Sequence, residues 1–305
     1  MKHIFIVNPE AGPVSPLKII NEQLSELGVL DECEIYVTTS ALDATEFVRK
    51  KCTENPNDTL RFYACGGDGT INEVAAGLVG NQNGELAIYP CGSGNDYVKC
   101  IGGRDRFMNI GKLMSAAAKP IDMMSVCGRY CINVCDFGFD AVVAQTMIDV
   151  KRKKLIGGKN AYRTGIVKAI FCGRRNKCRV VVDGEDISAR YNNKMLLCTV
   201  ANGQYVGGEF KCAPRSNNDD GLLEVCFVKP ISLFKFLQLL PVYTVGGHLD
   251  DPKFKDLIVY RQAKKVEVHA YSDDFGVCID GEMTKAGHFT VDVLPGAIKL
   301  VVPEN

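Results

Sequence analysis

Four short stretches of this chain carry residue types that could do chemistry. Residues 63–78, YACGGDGTINEVAAGL, set three glycines around Asp68 and run directly into an amphipathic helical pattern. Residues 90–99, PCGSGNDYVK, repeat the theme with Ser93, Asn95 and Asp96. NNDDGL at 217–222 and DGE at 280–282 add two acidic turns further along. Glycines let a phosphate approach the backbone closely, and the amides of a helix start attract anions. Clustered carboxylates offer the hard oxygens that Mg²⁺ prefers and a base for a hydroxyl proton. Neither glycine turn matches a dinucleotide fingerprint, and no lysine follows as in a Walker loop. Taken singly, each stretch reads equally well as a tight turn.

The elements that must hold these turns alternate cleanly over the first third. HIFIV, CEIYVTT, LRFYAC and LAIYP read as strands, and apolar residues recur at helical spacing over 14–27, 41–52 and 70–78. Strands separated by helices predict a parallel α/β sheet, whose ligand edge lies at the carboxyl ends of its strands. Strand one ends in Asn8, Pro9, Glu10, Ala11 and Gly12, and strand two in Thr38. Strand three ends in Gly66, Gly67, Asp68, Gly69 and Thr70, and strand four in the turn holding Ser93 and Asn95. Four polar or glycine-rich ends on one side predict a site. Thr70 and Glu73 have capping-box spacing, which predicts a helix starting at Thr70.

After Pro120 the texture changes. IDMMSVCGRYCINVCDFGF reads as two strands joined at Gly128, 160–171 as a helix, and CRVVVDGEDISARY as a hairpin turning at Asp183-Gly184. Further short strands follow, interrupted by LFKFLQLLPVYTV, read as a helix crossing between sheets. The second domain is therefore expected to be mostly antiparallel. A glycine-walled edge in one domain and carboxylates in the other suit phosphoryl transfer, which needs positioning, a divalent cation and a base.

The bulk numbers narrow the class. A chain of 305 residues suits two domains, and 46% hydrophobic with 24% charged residues is ordinary for a globular protein. Lysine plus arginine and aspartate plus glutamate number 36 each, so net charge argues for no particular partner. Basic clusters at 151–154 and 174–177 read as solvated loops or as attraction to an anionic surface, and no nucleic-acid-binding motif accompanies them. The start lacks a signal peptide's apolar core and no run reaches the length of a membrane span, so a cytoplasmic protein is expected. Fourteen cysteines, mostly in apolar runs such as YCINVCDF, read as reduced, buried hydrophobes.

In order, IFIVNPEAG, GGDGTINEVAAGL, PCGSGNDYVK, DDGLLEV and IDGE resemble the soluble bacterial diacylglycerol kinase family, which shares its catalytic domain with sphingosine kinases. The likeness runs from Val7 to Glu282, nearly the whole chain. It implies an α/β fold in two domains: a nucleotide-binding domain of 1–120 plus 296–305, resembling the NAD kinase and diacylglycerol kinase fold, and a β-sandwich-like lipid and catalytic-base domain of 121–295. It implies ATP and Mg²⁺ as cofactors, with ATP bound between the domains. Asn8 to Gly12, Thr38, Gly66 to Thr70, Asn72, Glu73, Ser93 and Asn95 would line that site. Asp68 would handle nucleotide and Mg²⁺, with Asn95 and Asp96 in the carboxylate network. Asp280 would be the general base, supported by Glu282. A structural Mg²⁺ would use the Asp220 side chain and backbone oxygens of Asn217 and Leu222.

The implied activity is ATP-dependent phosphorylation of a lipid hydroxyl, diacylglycerol first. The implied partners are a membrane lipid, a transient contact with the inner membrane surface and a second copy in a homodimer. The GSGN form at 92–95, also seen in sphingosine-kinase-like relatives, keeps other lipids open as acceptors. A kinase of NAD-like soluble substrates and a non-catalytic sensor are the alternatives. The first would need a polar nucleoside pocket in the second domain, and the second a broken carboxylate set. An acyl chain needs an apolar channel, for which the helices expected around 137–147 and 233–243 are candidates.

Overall fold

The structure is a computed structural model and describes residues 1–12, 15–139, 141, 142, 145 and 176–304. The basic cluster at 151–154 and the helix expected over 160–171 lie outside the described residues, as do 140, 143, 144, 146 and 147 of the stretch 137–147. The chain divides into two compact units, Met1–Met123 with Leu294–Asn305, and Met124–Val293.

In the first unit, β1 (Lys2–Val7), α1 (Pro16–Glu26), β2 (Cys33–Val37), α2 (Asp43–Glu54), β3 (Leu60–Gly66), α3 (Asp68–Leu78) and β4 (Gly84–Pro90) alternate. The helices α4 (Asp96–Cys100) and α5 (Ile110–Ser115) and the strand β5 (Ala118–Val126) follow. The first four strands are parallel, in the order β2-β1-β3-β4. β3 is buried along its whole length, as a strand covered on both faces must be. Proline opens α1, where its missing N–H costs nothing. Arg61 is nonetheless buried on β3: it pairs with Glu85 at 2.7 Å and donates to the carbonyls of Leu113 and Met114 near the end of α5. Those partners satisfy a charge that would otherwise be costly in the core.

In the second unit, β6 (Arg129–Cys131), β7 (Val134–Gly138), β8 (Asn176–Val182), β9 (Glu185–Asp186), β10 (Lys194–Met195), β11 (Leu197–Ala201) and β12 (Leu223–Val228) precede α6 (Leu233–Thr244). β13 (Ile258–Ala263), β14 (Lys265–Ala270), β15 (Gly276–Ile279), β16 (Glu282–Lys285) and β17 (His288–Val301) complete it. One antiparallel sheet runs β13-β12-β11-β7-β15-β16, and β10-β8-β14-β17 align in a second. Side chains of both sheets, among them Phe137, Val200, Val225, Val180, Val268 and Phe289, form one apolar core. β17 begins here, with Asp292 opposite Lys265, and ends in the first unit, where Leu300 pairs with Leu86 of β4.

Three local expectations are corrected. The stretch after Pro120 makes three strands, because the run after the Cys127-Gly128 turn breaks at Ile132-Asn133. The helix α6 does not cross between sheets. It connects β12 to its neighbour β13 and packs Phe236, Leu239 and Tyr243 on the outer face of their sheet. α3 starts at Asp68, two residues before the expected Thr70, with Gly67 as a cap that has no side chain to offer. The hairpin turn at Asp183-Gly184 is present, both residues having positive φ. Nine of the described cysteines are buried and none forms a disulfide.

His248, fully buried beside Tyr243, is held by desolvation at a pKa of about 4. Its folded value lies below the unfolded 6.5, so the stability it allows is complete above that pH and is lost as pH falls toward 4. The loss is about 3 kcal/mol. In urea titrations, His248→Phe should flatten the decline in unfolding free energy between pH 7 and 4. An unchanged slope would refute this assignment.

Candidate functional site

The carboxyl edge of the parallel sheet is built by glycine loops lying against one another. A side chain on Gly92 would put its Cβ 2.5 Å from the Gly67 Cα, and one on Gly12 would meet the Cys91 carbonyl at 2.4 Å. A Cβ on Gly66 would strike the Thr70 hydroxyl. The loops after β1, β3 and β4 therefore interlock backbone against backbone. Cys91 N–H donates to the Gly66 carbonyl at 2.8 Å, and Asn8 N–H to that of Cys65 at 3.1 Å. The Asn8 side chain accepts from Glu10 N–H and donates to Thr70 Oγ1 at 3.2 Å, so Thr70 ties two loops together instead of capping α3.

Ile71 is the first residue whose N–H enters the α3 ladder, on the Gly67 carbonyl. The amides of Gly69 and Thr70 precede it, at the positive end of the helix dipole. Asp68 opens the helix and accepts from Tyr97 N–H at 3.1 Å. Asp96, nearly buried, opens α4 and pairs with Lys99 at 2.7 Å. A Cβ on Gly94 would stand 3.1 Å from Asp68 Oδ2 and 3.7 Å from Asp96 Oδ2, so both carboxylates flank this one glycine. Asn95, left-handed at φ 50°, donates to the Gly92 carbonyl and leaves its buried Oδ1 without a hydrogen-bond partner. Pro9, Glu10, Gly12 and Ser93 are exposed, and Ala11 is buried.

Thr38 continues the β1 ladder through its N–H to the Val7 carbonyl. Asp43, to which the sequence assigns nothing, holds the turn after β2 by accepting from Thr39 N–H and Tyr36 Oη at 2.7 and 2.6 Å. The tyrosine hydrogen bond and those from Thr39 keep its carboxyl below the usual range. Asn72 and Glu73 lie on α3, where the Glu73 carbonyl accepts from Thr45 of α2.

The second unit holds the other acidic candidates. Asp280 and Gly281 are the two central residues of a hairpin, with φ of 46° and 85°, closed by Ile279 opposite Glu282. These are the positive values that a two-residue turn of type I′ requires. Three consecutive amides, of Ile132, Asn133 and Val134, donate to the Asp280 carboxylate at 2.8, 3.1 and 2.9 Å, and the Cys131 thiol donates at 3.1 Å. These amides are what break the strand between β6 and β7. Oδ1 takes three of the bonds and Oδ2 one, so Oδ2 keeps acceptor capacity. Burial outweighs the donors and raises the Asp280 pKa above its ordinary value. Glu282 pairs with Arg129.

The sequence reading missed the supports of this arrangement. Asn202 Nδ2 donates to the Ile132 carbonyl at 2.9 Å, and Asn133 Nδ2 to that of Tyr205 at 3.0 Å. The available signal was an asparagine set in each of two apolar strand runs, INV and VAN.

The NNDDGL loop places Asp220 at an exposed turn, accepting from Leu222 N–H at 3.0 Å. Asn217 is exposed and Leu222 half-buried. Just before this loop, Ser216 Oγ is buried without a hydrogen-bond partner, and just after it Glu224 is buried against Gln262. The Asp220 carboxylate and the loop's backbone carbonyls are oxygen donors of the type a hard cation such as Mg²⁺ prefers. Among the described residues, no group of three or more His, Cys, Asp or Glu could hold a metal. A cavity of about 420 Å³ in the same unit is lined by Gly138, Val142, Phe275, Gly276 and Met283, with Asp274 and Lys285 also on its wall. It opens at the far end of β15 from Asp280, about 13 Å along a four-residue strand.

Comparison with known proteins gives two family matches. The model for the diacylglycerol kinase catalytic domain matches residues 2–126, and that for the YegS C-terminal NAD kinase beta sandwich-like domain matches 133–302. The diacylglycerol kinase of Bacillus subtilis strain 168 is 29% identical over 255 residues, covering 82% of this chain and 79% of its own. The "Probable lipid kinase YegS-like" of Alcanivorax borkumensis is 25% identical, covering 90% and 88%. A crystal structure described as a diacylglycerol kinase from Bacillus anthracis str. Sterne superposes with a TM-score of 0.69 at 20% identity, covering 99% of this chain and 96% of that one. That likeness concerns the fold.

The glycine contacts generate a paired prediction. A Cβ on Gly69 meets nothing within 4 Å, whereas one on Gly92 meets backbone that cannot turn aside. Gly92→Ala should lose about 2 kcal/mol of stability, the scale of an overpacked core, while Gly69→Ala melts like the parent. Equal melting temperatures for the two variants would refute the interlocked loops.

Proposed function

The chain belongs to the family that joins a diacylglycerol kinase catalytic domain to a YegS-type C-terminal domain, and from that premise we propose that it transfers the γ-phosphoryl group of ATP to the hydroxyl of a membrane lipid, with diacylglycerol as acceptor and phosphatidic acid as product. The observation that carries this reading is the pair of carboxylates, Asp68 and Asp96, flanking Gly94 beside the start of α3. Phosphate oxygens would meet the amides of Gly69 and Thr70, and the interlocked glycines leave no side chain to hold the nucleotide off the backbone. Asp68 and Asp96 would supply oxygens for the Mg²⁺ that accompanies the nucleotide, which would offset charge on the transferring phosphoryl group.

Asp280 takes the acceptor proton in this reading. Three amides and a thiol hold its carboxylate in one orientation, and Oδ2 keeps a lone pair for a hydroxyl. Its raised pKa makes it a stronger base than an exposed aspartate, nearer the pH at which the reaction must run. Glu282, paired with Arg129, stiffens the hairpin that carries it. Asp220 with the Asn217 and Leu222 carbonyls would hold a structural Mg²⁺ that fixes the loop leading into β12. The cavity beyond β15 fits an acyl tail whose hydroxyl sits at Asp280.

A transfer assay from γ-labelled ATP into a panel of diacylglycerols, sphingoid bases and NAD tests the reading. Label is expected in the diacylglycerols and absent without Mg²⁺. Label in NAD alone would overturn the lipid assignment. Asp280→Asn should fold and bind ATP yet lose at least about 100-fold in turnover, the lower end of general-base contributions. In the parent enzyme, the acid limb of kcat/KM should lie above the ordinary aspartate range, because activity is lost as Asp280 takes up its proton. Full turnover by Asp280→Asn, or an acid limb at the ordinary value, would remove Asp280 as the base.

A further inference from the structure

α6 is apolar nearly all round, yet only half of it is covered. Phe236, Leu239 and Tyr243 face the sheet. On the opposite side, Phe234 is 70% exposed, Leu237 55% and Val245 74%, with exposed Pro241 between them. Residues 234, 237, 241 and 245 fall on one helical stripe, and Leu233 borders it. A helix apolar on every side belongs in an apolar medium, and of the nine exposed large hydrophobics among the described residues three sit on this element and a fourth, Val245, caps its end. The other exposed large hydrophobics are scattered along the chain.

Along the segment that carries the stripe, charge has one sign. From Lys229 to Leu249 there is no aspartate or glutamate. The exposed Lys235 stands in the first turn of α6, and the half-buried Lys229 directly after β12, four residues before it. Lys211 stands at its end, where its N–H bonds the Thr244 carbonyl and its stem lies against Gly246. Asp250, the first acidic residue beyond, is paired with Arg215 at 2.7 Å. At 12 residues α6 is too short to span a bilayer, and no helix among the described residues is long and apolar enough to do so.

From these observations we propose that the outward stripe of α6 is a membrane-docking surface. Phe234, Leu237 and Val245 enter the acyl boundary of an anionic bilayer while Lys211, Lys229 and Lys235 engage its headgroups. An apolar wedge whose own segment, from Lys229 to Leu249, carries lysines and no aspartate or glutamate is the pattern of a helix that lies in a membrane interface. The proposal concerns where the protein sits. It stands on exposure and charge, independently of the reaction assigned above.

The test uses the full chain and sedimentation with vesicles of phosphatidylcholine, with or without phosphatidylglycerol. Binding is expected to the mixed vesicles and to weaken with salt. Phe234→Ser/Leu237→Ser should reduce partitioning by about tenfold or more, since both side chains leave the apolar phase. Lys235→Glu should reduce binding to the mixed vesicles only. Because these positions are exposed, unfolding curves should match the parent. Turnover on a short-chain, water-dispersed acceptor should also be kept, because α6, a sequence candidate for the acyl channel, contributes no residue to the cavity beyond β15; this separates loss of docking from failure of the kinase reading. Undiminished vesicle binding by the double variant would overturn the proposal. So would light scattering that shows a parent dimer and a monomeric double variant, because the stripe would then serve a second copy of this chain.

Discussion

Close approach of backbone to backbone at the carboxyl edge of the parallel sheet is the constraint on which the first unit of this protein depends. Gly67 and Gly92 come from different strands and meet with no room for a side chain between them, and Gly12 meets the Cys91 carbonyl in the same way. This contact draws the ends of β1, β3 and β4 together. It leaves the start of α3 and the Asp68 and Asp96 carboxylates clustered around Gly94. The glycines thus have two roles at once. They permit the packing that makes the edge rigid, and in the proposed reading they would keep its surface low enough for a phosphate to reach main-chain donors.

The second unit solves a different problem with an aspartate. A carboxylate that is to take a proton must be oriented, but each hydrogen bond that orients it also weakens it as a base. At Asp280 the orienting amides of Ile132, Asn133 and Val134 and the Cys131 thiol are opposed by burial, and burial prevails. Position and basicity are therefore tuned by separate features, the donors and the apolar surroundings. The same bonds interrupt the strand at Ile132-Asn133, so an irregularity in the sheet is a direct consequence of the site. In a family that pairs a diacylglycerol kinase catalytic domain with a sandwich-like partner, this division of labour fits the proposed reaction.

Apolar surface sorts in the same unit into what the fold consumes and what it leaves. Facing side chains of two sheets close one core, and α6 covers a second face with Phe236, Leu239 and Tyr243. The opposite side of α6 is left in water, at the expense of exposed Phe234 and Leu237. Buried polar atoms follow the same logic. Arg61 is satisfied by Glu85 and two carbonyls, whereas Ser216 Oγ closes no hydrogen bond beside the loop that holds Asp220.

Much of this was legible in the residues themselves. Alternating helical and strand periods specified the parallel half, positive-φ residue types marked the turns at Asp183 and Asp280, and cysteines in apolar runs announced buried thiols. Each of these is a local property, set by a few neighbours along the chain and readable from their types. The ordered motifs carried the family for the same reason. Four things were decided only when remote segments met: that Thr70 serves Asn8 instead of capping its helix, that Asp280 breaks a strand nearly 150 residues away in sequence, that α6 lies outside its sheet, and that Gly67 needs Gly92 to be glycine. Periodicity records which face of an element is apolar. It does not record which backbone atoms of another loop will press against it, because that contact is fixed by packing in three dimensions.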